Sequence, residues 1–240
     1  MLVEEYPIEY ADGDIACRGL IVHRASPGCQ PGVILFPDAR GLGDTAKGCA
    51  RRVADLGFVV FIADLYGKGT FTDDIPHAHE MMTLLRSDVD HWRQRARSAL
   101  QTLAAQPTVD TTRLAAIGYC FGGTTALELG RSGADVRAIV SFHGGLSSPR
   151  PQDAACIKAR VLVCHGGADP VVPPAQVTEF VNHMARATAD WTLEVYANAL
   201  HSFTQTELDG AGVPGHDYDA VADQRSWRAM TELLNDVFGR

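Results

Sequence analysis

Short apolar runs alternate with longer amphipathic stretches along this chain. The runs Gly32 to Phe36, Phe58 to Ala63, Arg113 to Tyr119, Val136 to Phe142, Arg160 to His165 and Thr192 to Ala197 are rich in Val, Ile, Leu and Phe. Near-continuous apolar character over such short lengths predicts strands covered on both faces. Helical patterning predicts helices over Thr45 to Leu56, Ile75 to Ala105, Phe121 to Arg131, Pro174 to Ala189 and Ala220 to Phe238. Ahead of these, residues 3–10 and 15–24 flank the turn tetrapeptide A-D-G-D and read as an antiparallel hairpin. Strands alternating with helices predict an α/β fold, a mostly parallel twisted sheet with helices on both faces. Ile117, Phe121, Leu127, Leu129, Val161, Leu162 and Val163 are the expected core.

Composition narrows the class. A chain of 240 residues, 46% hydrophobic and 21% charged, is near the upper size for one hydrophobic core, so residues 1–240 are expected to form a single domain. The net charge of -8 works against a nucleic-acid partner, whose phosphates require clustered Lys and Arg. Lysine occurs only at 47, 68 and 158, and no polybasic run marks a membrane surface. The opening M-L-V-E-E-Y lacks the basic and apolar regions of a signal peptide. No apolar run approaches the roughly 18 residues of a membrane span. The expectation is a soluble, cytoplasmic protein, a monomer or small homo-oligomer. The six cysteines are scattered at 17, 29, 49, 120, 156 and 164 with no C-x-x-C pair, which predicts free thiols and gives no zinc signature.

In open α/β sheets the ligand site lies outside the carboxyl ends of the strands. Those ends carry Pro37-Asp38-Ala39-Arg40, Asp64-Leu65-Tyr66, Cys120, His143, His165 to Asp169, and the segment reaching His201. The central motif, G-Y-C-F-G-G over Gly118 to Gly123, lies between a predicted strand and a predicted helix. It has the form of a nucleophile elbow with Cys in place of Ser. Glycines two positions either side of the nucleophile give room for a strained strand-to-helix turn. At the helix start a thiolate also faces the positive end of the helix dipole. The competing reading of Cys120 is a small buried hydrophobe. Asp169, after a glycine turn, can accept the Nδ1 hydrogen of a triad histidine. His201, in A-N-A-L-H-S-F, follows the last strand. The order nucleophile, acid, base is that of α/β-hydrolases. An N-capping Asp and a solvated loop His are the simpler alternatives.

Together G-Y-C-F-G-G, H-G-G-A-D-P-V-V-P, H-S-F, A-D-L-Y-G-K-G and the N-terminal D-G hairpin resemble the dienelactone hydrolases (carboxymethylenebutenolidases) over nearly the whole chain. The resemblance implies an α/β-hydrolase fold without a large lid domain, a thiol nucleophile, no metal or organic cofactor, and a small-molecule ester or lactone substrate. Carried over, Cys120 attacks the carbonyl, His201 serves as base and acid, and Asp169 orients His201. The N–H groups of Phe121 and Ala39 form the oxyanion hole. An acyl-enzyme followed by water attack is the implied course.

Two positions depart from the family. Asp38 stands where the family has a Glu that holds the resting thiol. Gln205 occupies one position of the family's carboxylate-binding arginine pair, and no Arg stands near His77, Ala78 and His79 for the other. Arg40 is the candidate replacement anchor, with salt-bridging as its simpler role. His143 and Tyr66 are candidates for the pocket wall, against a packing role for each. Trp92 has the same two readings. H-x-H-E at His77 to Glu80 is not a zincin pattern and reads as a polar helix start. The remaining classes are a ligand-binding or thiol-sensing protein on a retained hydrolase scaffold, and a thioesterase or acyltransferase.

Overall fold

The computed structural model describes residues 3–239. The chain divides into two compact units, Met1–Ile117 and Gly118–Arg240. The first opens with β1 (Val3–Asp12) and β2 (Ile15–Arg24), antiparallel from Val3↔Arg24 to Asp12↔Ile15. Gly13, at φ 58, supplies the left-handed residue that the two-residue turn needs. β2 pairs antiparallel with β4 (Val59–Ile62), and β4 pairs parallel with β3 (Gln30–Phe36). Every residue of β3 and β4 is buried, which is why these runs show no polar alternation.

The predicted helix from Ile75 to Ala105 is two helices, α2 (Ile75–Arg86) and α3 (Val89–Ala104), following α1 (Asp44–Asp55). The break is chemical. Ser87 ends α2 with its hydroxyl on Leu84 O, and the Asp88 carboxylate caps α3 by accepting from the N–H groups of Asp90 and His91 at 3.0 and 3.1 Å. Trp92 of α3 is fully buried and belongs to the core. Arg95 of the same helix makes a buried ion pair with Asp12 at 2.6 Å, and Ser98 donates to the other Asp12 oxygen.

β5 (Val109–Tyr119) runs from the first unit into the second. There β6 (Ala138–Phe142), β7 (Arg160–Gly166) and β8 (Trp191–Tyr196) pair in parallel in that order. α4 (Phe121–Arg131) packs on β6, and α6 (Ala220–Phe238) packs on β6 and β7. Ala222, Ser226, Met230, Leu234 and Phe238 of α6 recur every four residues and are all buried. The large apolar side chains among them, Met230, Leu234 and Phe238, each stabilise the packing by roughly 1.5–3 kcal/mol. Asp219 caps the start of α6, and Gly239, at φ 67, ends it. α5 (Pro174–Met184) stops before the predicted Ala189. Its buried face ends at Met184, and no large apolar side chain follows to hold another turn. The seven expected core residues are all buried. No helix among the described residues is long and apolar enough to cross a membrane.

Candidate active site

β5 ends at Tyr119 and α4 begins at Phe121, leaving Cys120 alone on the turn at φ 53 and ψ -118. A side chain at Gly118 would run into the carbonyl of Gly122, so the glycine spacing of the elbow is a steric requirement. The Cys120 N–H is shared between Phe142 O at 2.9 Å and His143 Nδ1 at 3.2 Å. Its carbonyl accepts from Gly123 N and Thr124 N in the first turn of α4.

Asp169 lies just beyond β7. One carboxylate oxygen accepts from Val171 N and Val172 N at 2.7 and 3.2 Å, and the other lies 2.7 Å from His201 Nδ1. A carboxylate accepts only, so this contact fixes the Nδ1 hydrogen of His201 toward Asp169. His201 Nε2 is then directed at Cys120 Sγ, 3.1 Å away. The backbone of His201 is pinned by Gly215 O and Asp217 N. Asp169 and His201 are buried, while Cys120 is partly open.

Burial alone would push His201 down. The negative charge of an ionised Cys120 sulfur, the hydrogen bonds to Asp169 and Cys120 and the Asp169 charge outweigh it, holding the imidazolium up to about 10. Burial raises Asp169, but its hydrogen bond to His201, the His201 charge and the two N–H donors bring it below the ordinary carboxylate value. Three further imidazoles surround this chain. His143, completely buried, meets His201 edge-on at 5.4 Å, and His216 does so at 5.0 Å. His143 is held far below the ordinary imidazole value by burial and by the charges of His201 and His216. His165 is lowered by burial and by His201, against the pull of Asp169.

Asp38, Ala39, Arg40 and Tyr66 lie in the first unit. Asp38 takes the backbone N–H of Arg40 on one oxygen at 2.9 Å and the Arg40 guanidinium on the other at 3.1 and 3.3 Å. Arg40 also reaches Thr45 Oγ1. The Tyr66 hydroxyl donates to Ala39 O at 2.9 Å. Tyr66 is itself set by Asp64, whose buried carboxylate accepts four backbone N–H groups, from Arg18, Tyr66, Gly67 and Gly69, at 2.7 to 3.1 Å. Phe121 opens α4 in the second unit. His77 and His79 are exposed at the start of α2, and among the described residues no group of three or more His, Cys, Asp or Glu is arranged to hold a metal ion. Of the remaining thiols, Cys17 is pushed up to about 11 and Cys164 further still, both by burial first. All six cysteines are free.

Sequence reasoning missed His216 and Thr204 and gave Asp64 no role. Thr204, three residues after His201, is marked by no motif. His216 comes to His201 through a backbone bridge that only the folded chain creates.

The model of the dienelactone hydrolase family matches residues 17–238. This chain belongs to the dienelactone hydrolase family. A Bradyrhizobium relative named "Probable 2-oxo-3-(5-oxofuran-2-ylidene)propanoate lactonase" is 25% identical over 240 residues, covering 95% of this chain and 93% of that one. A solved structure named m3DLH is 45% identical with a TM-score of 0.94 and covers 98% of both chains. A second, the dienelactone hydrolase-like promiscuous phosphotriesterase P91 from metagenomic libraries, is 42% identical with a TM-score of 0.92, again over 98% of each chain. As a dienelactone hydrolase family member the chain has the α/β-hydrolase fold that the resemblance of its motifs implied, on the α/β architecture that its strand and helix alternation predicted.

Proposed function

We propose that this protein hydrolyses carboxylic esters or lactones with Cys120 as nucleophile, His201 as base and acid, and Asp169 as the residue that orients His201. The hydrogen-bonded line from Asp169 through His201 to Cys120, at 2.7 and 3.1 Å on a strained elbow, carries this reading. The Cys120 thiolate attacks the carbonyl carbon, forming the C–S bond while the carbonyl electron pair moves onto oxygen. The N–H of Phe121, next to the nucleophile, receives that charge, and the family resemblance implies Ala39 N–H as the second donor. Collapse expels the alkoxide or enolate, which takes the proton from His201 Nε2. Neutral His201 then removes a proton from water, and the resulting hydroxide attacks the thioester. The C–S bond breaks, and the thiolate beside a protonated His201 is restored.

Substrates without a carboxylate suit this chain best, because Gln205 cannot reproduce a bidentate arginine contact. The 42% identity to P91, named a promiscuous phosphotriesterase, favours phosphotriesters as a second substrate class for the same thiolate. A pure binding protein has no use for an ordered Cys, Asp and His set.

The test is turnover of p-nitrophenyl esters, lactones including dienelactone, and a neutral aryl phosphotriester by the wild type, Cys120→Ala and His201→Ala. Ester or lactone turnover abolished in both variants is the expected result. Activity surviving Cys120→Ala removes this residue as nucleophile. No turnover of any substrate by folded wild type favours the sensing class.

A further inference from the structure

Among the described residues, four non-glycine residues have a left-handed backbone, and three of them, Cys120, His143 and Ser202, meet in one cluster. Such a conformation costs on the order of 1–3 kcal/mol and persists only where the surroundings over-determine it. Cys120 is the elbow, and Ser202 adjoins His201. His143, at φ 41 just beyond β6, has no part in the proposed reaction, yet it is completely buried against the Cys120 amide and the His201 ring.

Both of its ring nitrogens are committed. Nδ1 accepts the Cys120 N–H at 3.2 Å, so the single proton of the neutral ring sits on Nε2. Nε2 donates to Thr204 Oγ1 at 2.8 Å. Thr204 lies on the segment that carries His201, three residues further on. The ring therefore reaches from the amide of the nucleophile to the segment of the base, with its edge against the rings of His201 and Phe203. Phe142 O also holds the Cys120 N–H. The elbow amide is thus secured from two sides, and what His143 adds is the connection to Thr204.

We infer that His143 is a positioning residue, a neutral imidazole strut joining the Cys120 amide to the Thr204 hydroxyl and thereby setting the distance between Cys120 and His201. This rests on the reading of Cys120 and His201 as nucleophile and base. A reacting pair displaced by about 1 Å loses on the order of a hundredfold in rate, so a strut of this kind acts on kcat more than on KM.

The test is a double-mutant cycle on ester turnover. Thr204→Val removes the hydroxyl. His143→Asn keeps an acceptor for the Cys120 N–H but is too short to reach Thr204. Each is expected to lower kcat by about tenfold or more with KM within about twofold. The double variant is expected to be no worse than the poorer single one, and Thr204→Ser to keep most of the activity. Additive losses, an unchanged kcat in Thr204→Val, or equal losses in Thr204→Ser and Thr204→Val would overturn the strut. If Thr204→Val does not fold, His143→Asn against Thr204→Ser decides: loss only in the former supports the strut, and wild-type kcat in the former overturns it. Cys120→Ala is measured alongside, and activity surviving there defeats the nucleophile reading whatever the cycle gives.

Discussion

His201 Nε2 lies 3.1 Å from Cys120 Sγ, and the imidazolium is held up to about 10 although burial works against it. In the proposed reaction this contact makes His201 the acid beside the nucleophile, and the raised value keeps the ring protonated across neutral pH. Asp169 contributes by accepting the Nδ1 hydrogen, and its other oxygen is fixed by the N–H groups of Val171 and Val172.

The pH dependence follows from the direction of this shift. The basic limb of kcat/KM for a neutral ester is expected near pH 10, where His201 loses its proton, and Asp169→Asn is expected to move it down toward the ordinary imidazole value. Because the folded value is raised, the stabilisation from protonated His201 is fully present below about pH 6.5 and disappears as pH rises through about 10. Rate profiles and urea midpoints of wild type and Asp169→Asn across this range check both. A wild-type basic limb near 6.5 contradicts the pairing.

Gly118→Ala should cost both stability and activity. The new methyl meets the backbone carbonyl of Gly122, which has no rotamer through which to yield. Overpacking of this kind costs about 1–3 kcal/mol, and here the strain falls on the turn that aims Cys120. A lowered melting temperature with a disproportionate loss of kcat is expected. Wild-type values of both would show that the elbow relaxes freely.

The elbow was legible in the sequence because it depends on local sterics, which leave glycines at fixed spacing in G-Y-C-F-G-G. The buried strands and α6 were legible for a similar reason, since burial on both faces of a strand or along one helix stripe leaves a periodic trace. The break between α2 and α3 was not, because Ser87 and Asp88 are weak helix formers without being breakers, and the Asp88 cap decides the matter. The roles of His143 and Thr204 were hidden for another reason. They are 61 positions apart, and their meeting depends on the fold. Asp64 was visible only as a strand-end acid, since its four N–H donors come from two separate segments.

Thiol chemistry separates Cys120 from the buried cysteines. At pH 8, iodoacetamide should inactivate the protein in step with alkylation of Cys120, leaving Cys17 and Cys164 unmodified because both are buried and held protonated. Peptide mass spectrometry at half-inactivation provides the measurement. Inactivation that precedes Cys120 labelling would assign the sensitive thiol elsewhere.

Arg40 gives a test of substrate charge. If its guanidinium serves as the carboxylate anchor, Arg40→Ala should raise KM for carboxylate-bearing esters and leave neutral esters near wild type. Its bonds to Asp38 and Thr45 give it a second possible consequence, a loosened loop, which would harm both substrate types equally. Equal losses would therefore remove the anchoring role.

The loop holding Ala39 is set from two sides. Asp38 O accepts from Gly41 N at 3.1 Å, fixing the peptide whose N–H belongs to Ala39. The next peptide is fixed by the Tyr66 hydroxyl on Ala39 O and by Asp38 Oδ1 on Arg40 N. Tyr66→Phe removes one of these bonds and leaves the ring in place. If Ala39 N–H stabilises the oxyanion, this variant should lower kcat several-fold, with KM and melting temperature little changed. Asp64→Asn acts one step further back. An amide cannot accept on both sides, so two of the four N–H donors are left poorly paired, each at about 1–3 kcal/mol for a buried group. It should therefore lower both stability and kcat. A wild-type kcat in Tyr66→Phe would mean that the hydroxyl has no part in aiming the loop.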